Sequence, residues 1–177
     1  MWDKKILQPG VSWKDGFCNG LVRSRVFIPI LSRGAINHPS DKKQNICVLN
    51  SESSVDNVIL EHWLALELHI RGMIETIYPI LLGDETVTTD GACYGNYFAD
   101  GCHPSSIPDV VVESIEFQVE DQLNRLCLGT PLFENPTVHN VVDSILAKQG
   151  ALLEGPRLET VDTFLPDILK MLDSVHA

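Results

Sequence analysis

Asp56–Leu82 reads DNVILEHWLALELHIRGMIETIYPILL. Its first sixteen residues repeat apolar positions at helical spacing, with Asp56 or Asn57 as a cap and Gly72 as the stop. With Glu61 placed at zero and 100° per residue, Ile59, Trp63, Leu66 and Ile70 cluster on the far side as the core stripe. After Gly72 the pattern changes to an apolar run, Ile74–Leu82, closed by Gly83-Asp84, which reads as a buried strand. A helix followed by a buried strand is the repeating unit of a layered α/β fold with a parallel sheet.

Upstream, Arg25–Leu31 (RVFIPIL) is a second buried run, with Pro29 counting against a fully hydrogen-bonded position. Ser12–Val22 precedes it as an amphipathic helix carrying Trp13, Phe17, Gly20 and Leu21 on one face. Lys4–Val11, with its Pro9-Gly10 tip, is expected as an exposed loop feeding that helix. Asn37–Val55 is polar and turn-rich and is expected as an insertion, and Glu85–Pro108 as a long loop. Asp109–Leu126 has helical spacing with acidic residues early, as the helix dipole favours. Beyond Gly129-Thr130-Pro131 the composition shifts. Val138–Leu146 and Thr163–Val175 read as short helices and Gly150–Arg157 as a linker. Two strands are too few for a stable parallel sheet, so this pattern leaves something unaccounted for.

The 177 residues, 44% apolar and 21% charged, suit one compact domain or one domain with an appendage. No apolar run reaches membrane-spanning length. The opening MWDKK is not followed by the apolar stretch of a secretory signal, so an intracellular, cytoplasmic location is expected. The net charge of −11 argues against a general nucleic-acid binder. That charge is uneven. Eight Lys and Arg against three Asp leave residues 1–50 at +5, so the remainder carries −16, a polarity that favours head-to-tail association. Five cysteines with no CxxC and no paired His spacing argue against a disulfide framework or a structural metal, and no metal ligands are assigned. Cys102-His103 reads as a loop pair rather than a nucleophile with its base, because adjacent side chains rarely face each other.

The chemistry centres on Glu61. It shares its helical face with Leu64, Ala65 and Leu68, and a carboxylate in an apolar stripe is costly unless it is paired or used. Glu67 has Arg71 four residues on and reads as an ordinary surface pair. His62 and His69, seven residues apart, lack the spacing of a helical metal pair and read as structural. The Lys4–Val11 loop can offer backbone N–H groups and lysines to an anion, although it contains no phosphate-loop motif.

Taken together, WDKKILQPGVSWKDGFCNGLVRSRVFIPILSRGAI (residues 2–36) resembles the second strand, BB loop, following helix and third strand of a Toll/interleukin-receptor (TIR) domain. IYPILLGD resembles the fourth strand, and Glu61 falls where TIR enzymes carry their catalytic glutamate. The resemblance spans roughly residues 2–127. It implies a flavodoxin-like parallel sheet with flanking helices, a partial TIR domain over 1–127 lacking its first strand and helix, and a helical C-terminal extension or linker over 128–177. It also implies cleavage of NAD at the nicotinamide–ribose bond, with NAD as substrate and no cofactor. Catalysis would fall to Glu61, with Trp13, Lys5 and Gly10 near the ligand or an assembly contact. The implied partners are other TIR domains, with self-association through Lys4–Gly10. The alternatives are a non-catalytic TIR adaptor and an inactive fragment.

Overall fold

The computed structural model describes residues 13–33, 36, 46–89, 91–97 and 107–176. Its centre is helix α2 (Asn57–Ile70), because nine of its fourteen side chains are apolar and the helix is buried on nearly all sides. Asp56 caps it, the carboxylate accepting from the Val58 and Ile59 N–H groups at 2.9 and 3.0 Å. Gly72, at φ +72°, ends it in the left-handed conformation, while Met73 N–H donates back to the Leu68 carbonyl at 2.8 Å. Around α2 pack α1 (Trp13–Val22), α3 (Glu113–Arg125) and α4 (Val138–Leu146).

The parallel sheet is built from two interrupted strands and a third, short one. Residues of β1 (Val26–Phe27) and β2 (Ile30–Ser32) lie opposite those of β3 (Thr76–Ile77) and β4 (Ile80–Leu82), Val26 facing Thr76 and Ile30 facing Ile80 in one continuous register. Both strands break at the same level, at Pro29 and Pro79. The Pro29 carbonyl still accepts from Ile80 N–H at 2.8 Å, and that of Phe27 from Tyr78 N–H at 2.9 Å. A proline nitrogen has no hydrogen to give, so the ladder bends there without separating. The third strand, β7 (Ala151–Leu153), pairs in parallel with β4 on its other side.

β7 alters the expected organisation of the C-terminal region. Gly150–Arg157, expected as a linker, supplies β7 and then β8 (Gly155–Pro156), and α4 places Val138, Val141, Val142 and Ile145 in the same core as α2. The third parallel strand therefore comes from the part of the chain expected to be a helical extension or linker. Three apolar letters before a Gly-Pro pair are too few to carry a strand signal; pairing with β4 makes Ala151–Leu153 a strand. The closing helix α5 (Arg157–His176) is longer than its expected Thr163–Val175, contains Pro166, and packs on β7, β8 and the strand Gly91–Tyr94.

Two further expectations are corrected. Within the expected loop 85–108, β5 (Glu85–Thr88) and β6 (Gly91–Tyr94) form an antiparallel hairpin, with β8 on the free side of β6. The expected insertion 37–55 is tied down at its C-terminal end. Ile46–Val48 is a 3-10 turn with Ile46 buried, and the Ser51 and Ser53 carbonyls accept from Glu113 N–H and Ser114 Oγ. These contacts serve the start of α3, whose capping residue Val112 has no side-chain cap to offer.

Gly150 has a steric role at the sheet. A Cβ there would sit 2.0 Å from the Pro79 carbonyl oxygen, the acceptor for Ala151 N–H at 2.9 Å. Gly150→Ala is expected to push β7 off β4 and cost about 1–3 kcal/mol, read as a lower midpoint in urea unfolding. An unchanged midpoint would mean that β7 contributes little to the sheet.

Candidate functional site

Among the described residues, β1–β2 has a neighbouring strand on one side only. The Arg25, Phe27 and Pro29 carbonyls turn toward β3–β4. Val26, Ile28 and Ile30 turn their backbone groups the other way, and Ile30 is 60% exposed. Along this edge runs a cleft of about 440 Å³. Its floor is Val26–Ile30, one wall is Phe17 and Leu21 of α1, and the other is Val58, Glu61 and His62 of α2.

Glu61 is the acid of this cleft. The helix presents it beside Leu64, Ala65 and Leu68, all fully buried, so its carboxyl stands at the margin of the core, half-buried. No hydrogen bond or ion pair to it is formed among the described residues. Burial, and secondarily the Asp56 carboxylate one turn before it, raise its pKa from 4.5 to about 7. It is therefore a carboxyl that changes charge near neutrality.

His62, which the sequence reads as structural, also lines this cleft. It is 2% exposed, its ring meets Phe27 edge-on with centroids 6.0 Å apart, and its Nδ1 has no hydrogen-bond partner among the described residues. Burial lowers its pKa to about 4, so the ring is neutral at physiological pH. Its one legible signal was adjacency to Glu61, a step of 100° that keeps both on the cleft-facing half of α2.

Glu67 is corrected outright. It is fully buried, and its carboxylate accepts from Leu132 N–H at 2.9 Å, Phe133 N–H at 2.8 Å and the Trp63 indole at 3.4 Å. Arg71 pairs with it at 3.4 Å and also donates to the Leu128 and Thr130 carbonyls. This pair clamps the segment after α3 onto α2. It is internal architecture, where an i,i+4 spacing alone suggests a surface bridge. Ile70, expected in the core stripe, is 50% exposed instead. His69 lies outside the cleft, its Nδ1 2.9 Å from the Ile74 carbonyl oxygen.

The backbone of Trp13 opens α1, and its side chain lies outside the described residues, as do Lys5, Gly10, the whole Lys4–Gly10 loop and Cys102-His103. No group of three His, Cys, Asp or Glu placed to hold a metal ion occurs among the described residues. Among them, too, no helix is long and apolar enough to cross a membrane. Comparison of the chain with protein-family models, curated proteins and solved structures returns no match.

Asp56 has two duties that one substitution separates. Asn keeps the capping oxygen and removes the charge that helps hold the Glu61 proton. Asp56→Asn is expected to lower the Glu61 pKa with little loss of helix stability, measured by carbon NMR of the labelled carboxyl. A Glu61 pKa that stays at its parent value would assign the whole shift to burial.

Proposed function

We propose that this chain is a TIR-type domain that cleaves NAD at the nicotinamide–ribose bond, with Glu61 as the catalytic residue. The observation that carries the reading is the Glu61 carboxyl itself, half-buried in a largely apolar cleft and free of any hydrogen bond or ion pair among the described residues. A carboxyl with a structural duty is normally paired, as Glu67 is. The three-stranded parallel sheet flanked by helices is compatible with the flavodoxin-like architecture that the resemblance implies.

The chemistry suits a lone carboxylate. Nicotinamide leaves from a cationic pyridinium, so the C1′–N bond breaks with its electron pair going to the ring nitrogen and no acid has to protonate the leaving group. Positive charge builds on the ribose, and an ionised Glu61 in a poorly hydrated cleft stabilises it. Water then bonds to C1′ and loses its proton to solvent, giving ADP-ribose; attack by a group within the substrate gives a cyclic product instead. The ionised form of Glu61 is the active one, so kcat/KM is expected to climb with pH through about 7 and then level off.

On this reading the domain works in the cytoplasm and associates with other TIR domains or with itself. The basic residues 1–50, at +5, would meet the acidic remainder of a neighbouring copy, with Lys4–Gly10 as the contact. The second reading, a non-catalytic adaptor, is favoured by Val26–Ile30, which among the described residues has a strand on one side only and so can offer backbone groups to another chain. Incubating the full chain with NAD and following nicotinamide separates the two. Release that rises more steeply than protein concentration supports an enzyme completed by assembly. No release at any concentration favours the adaptor.

A further inference from the structure

We propose that His62 is a ligand-positioning residue of the Glu61 cleft, its imidazole Nδ1 taking a hydrogen bond from, or giving one to, an uncharged hydroxyl or carboxamide of the bound molecule. The inference rests on the Glu61 reading for the identity of the ligand and on the cleft itself for everything else.

Buried polar atoms are almost always paired, so an imidazole nitrogen without a partner inside a folded chain calls for an explanation. Nδ1 of His62 is such an atom. Its ring lies beside the carboxyl of Glu61 in the cleft wall, and the opposite floor is the apolar edge Val26–Ile30. Among the described lining residues only Ser24, Glu61 and His62 carry polar side chains, and Ser24 Oγ already donates to the Gly20 carbonyl at 2.9 Å. A ligand with polar substituents thus finds two groups to meet, one carboxyl and one imidazole, on adjacent residues of one rigid helix.

The ring suits an uncharged partner group. Held neutral by burial, it presents one N–H and one lone pair, and either nitrogen can take either role according to the tautomer. Its contact with Phe27 is edge-on, with the two ring planes 70° apart. A phosphate would prefer a cationic site, and the described residues lining this cleft include none. The ribosyl hydroxyls and the carboxamide of the nicotinamide end of NAD fit the pair.

Two substitutions separate polarity from packing. His62→Phe keeps an aromatic ring against Phe27 and removes both nitrogens. His62→Asn places an amide near the position of Nδ1 and removes the ring. Positioning through Nδ1 predicts that His62→Phe raises KM for NAD about tenfold, the worth of one hydrogen bond, with kcat changed far less and melting temperature held. His62→Asn is expected to recover most of that KM despite a lower melting temperature. A purely structural His62 predicts the reverse order, with His62→Phe behaving as the parent.

The imidazole nitrogens of the unmodified chain, followed by nitrogen NMR during titration with NAD, supply the readout that does not depend on turnover. A shift of His62 Nδ1 without nicotinamide release keeps the site and overturns the hydrolase reading. Nicotinamide release with Nδ1 unmoved and the parent KM in His62→Phe keeps the hydrolase and overturns this proposal. Neither release nor shift overturns both.

Discussion

Glu61→Gln is expected to release nicotinamide from NAD at least about a hundredfold more slowly than the parent chain, the usual loss when a charge-stabilising group is removed from a reacting centre. The amide fills the same volume and keeps the hydrogen-bonding oxygen, so the loss reports the missing charge. The same substitution has an opposite effect on stability, and the sign follows from the pKa. In the unfolded chain Glu61 ionises near its ordinary 4.5, and in the folded chain near 7. Between those values the folded state holds a proton that the unfolded state has released. The contribution to stability is fully present below about 4.5 and is lost as pH rises through about 7. Above that, the folded protein carries a half-buried, unpartnered carboxylate. Gln cannot ionise, so the variant is expected to be more stable than the parent at pH 8 by about 1–2 kcal/mol after allowance for solvent screening, and equal to it at pH 4. For a domain of this size that is a rise of several degrees in melting temperature at the higher pH only. A variant that retains NAD cleavage removes Glu61 from the mechanism. One that melts with the parent at both pH values removes the unusual ionisation.

The second large effect belongs to Glu67. Glu67→Ala is expected to cost about 3–5 kcal/mol, a substantial part of the 5–15 kcal/mol by which a typical domain is stable. The substitution orphans the Leu132 and Phe133 N–H groups and leaves the Arg71 guanidinium without its buried counter-charge. It also frees the turn through Cys127 and Gly129, both at positive φ, which the clamp holds against α2. Glu67→Gln is no rescue, since its NH₂ faces two backbone donors when its oxygen does not. Chemical unfolding followed by circular dichroism measures both variants. Parent-like midpoints would show that the segment after α3 is held by apolar packing of Leu128 and Phe133 alone.

These two glutamates mark how far the sequence was legible. Helix α2 was readable almost to the residue, because Asp56 and Gly72 punctuate it and its apolar density leaves no other assignment. The runs RVFIPIL and IYPILL were readable as strands for the same reason. Glu61 stood out because a charge beside Leu64, Ala65 and Leu68 interrupts an apolar face. Glu67 did not stand out. On a helix buried nearly all round, a rotation angle cannot tell the solvent side from a side covered by distant chain, here residues 128–133. His62 carries no comparable local mark, because its burial and its contact with Phe27, 35 positions away in sequence, arise only in the folded chain.

The sequence by itself determined which segments are helix and which are buried strand around α2, where that helix starts and stops, and which acid is out of place on it. Those are properties of local period, capping chemistry and composition, all contained within a few turns of chain. Tertiary structure decided the remainder. It recruited Ala151–Leu153 as the third parallel strand, turned a surface-looking ion pair into an internal clamp, and set Glu61 and His62 beside Val26–Ile30 in one cleft. Each of these depends on contacts between residues far apart in the chain, where burial, desolvation and hydrogen-bond supply are set by partners that no local pattern names.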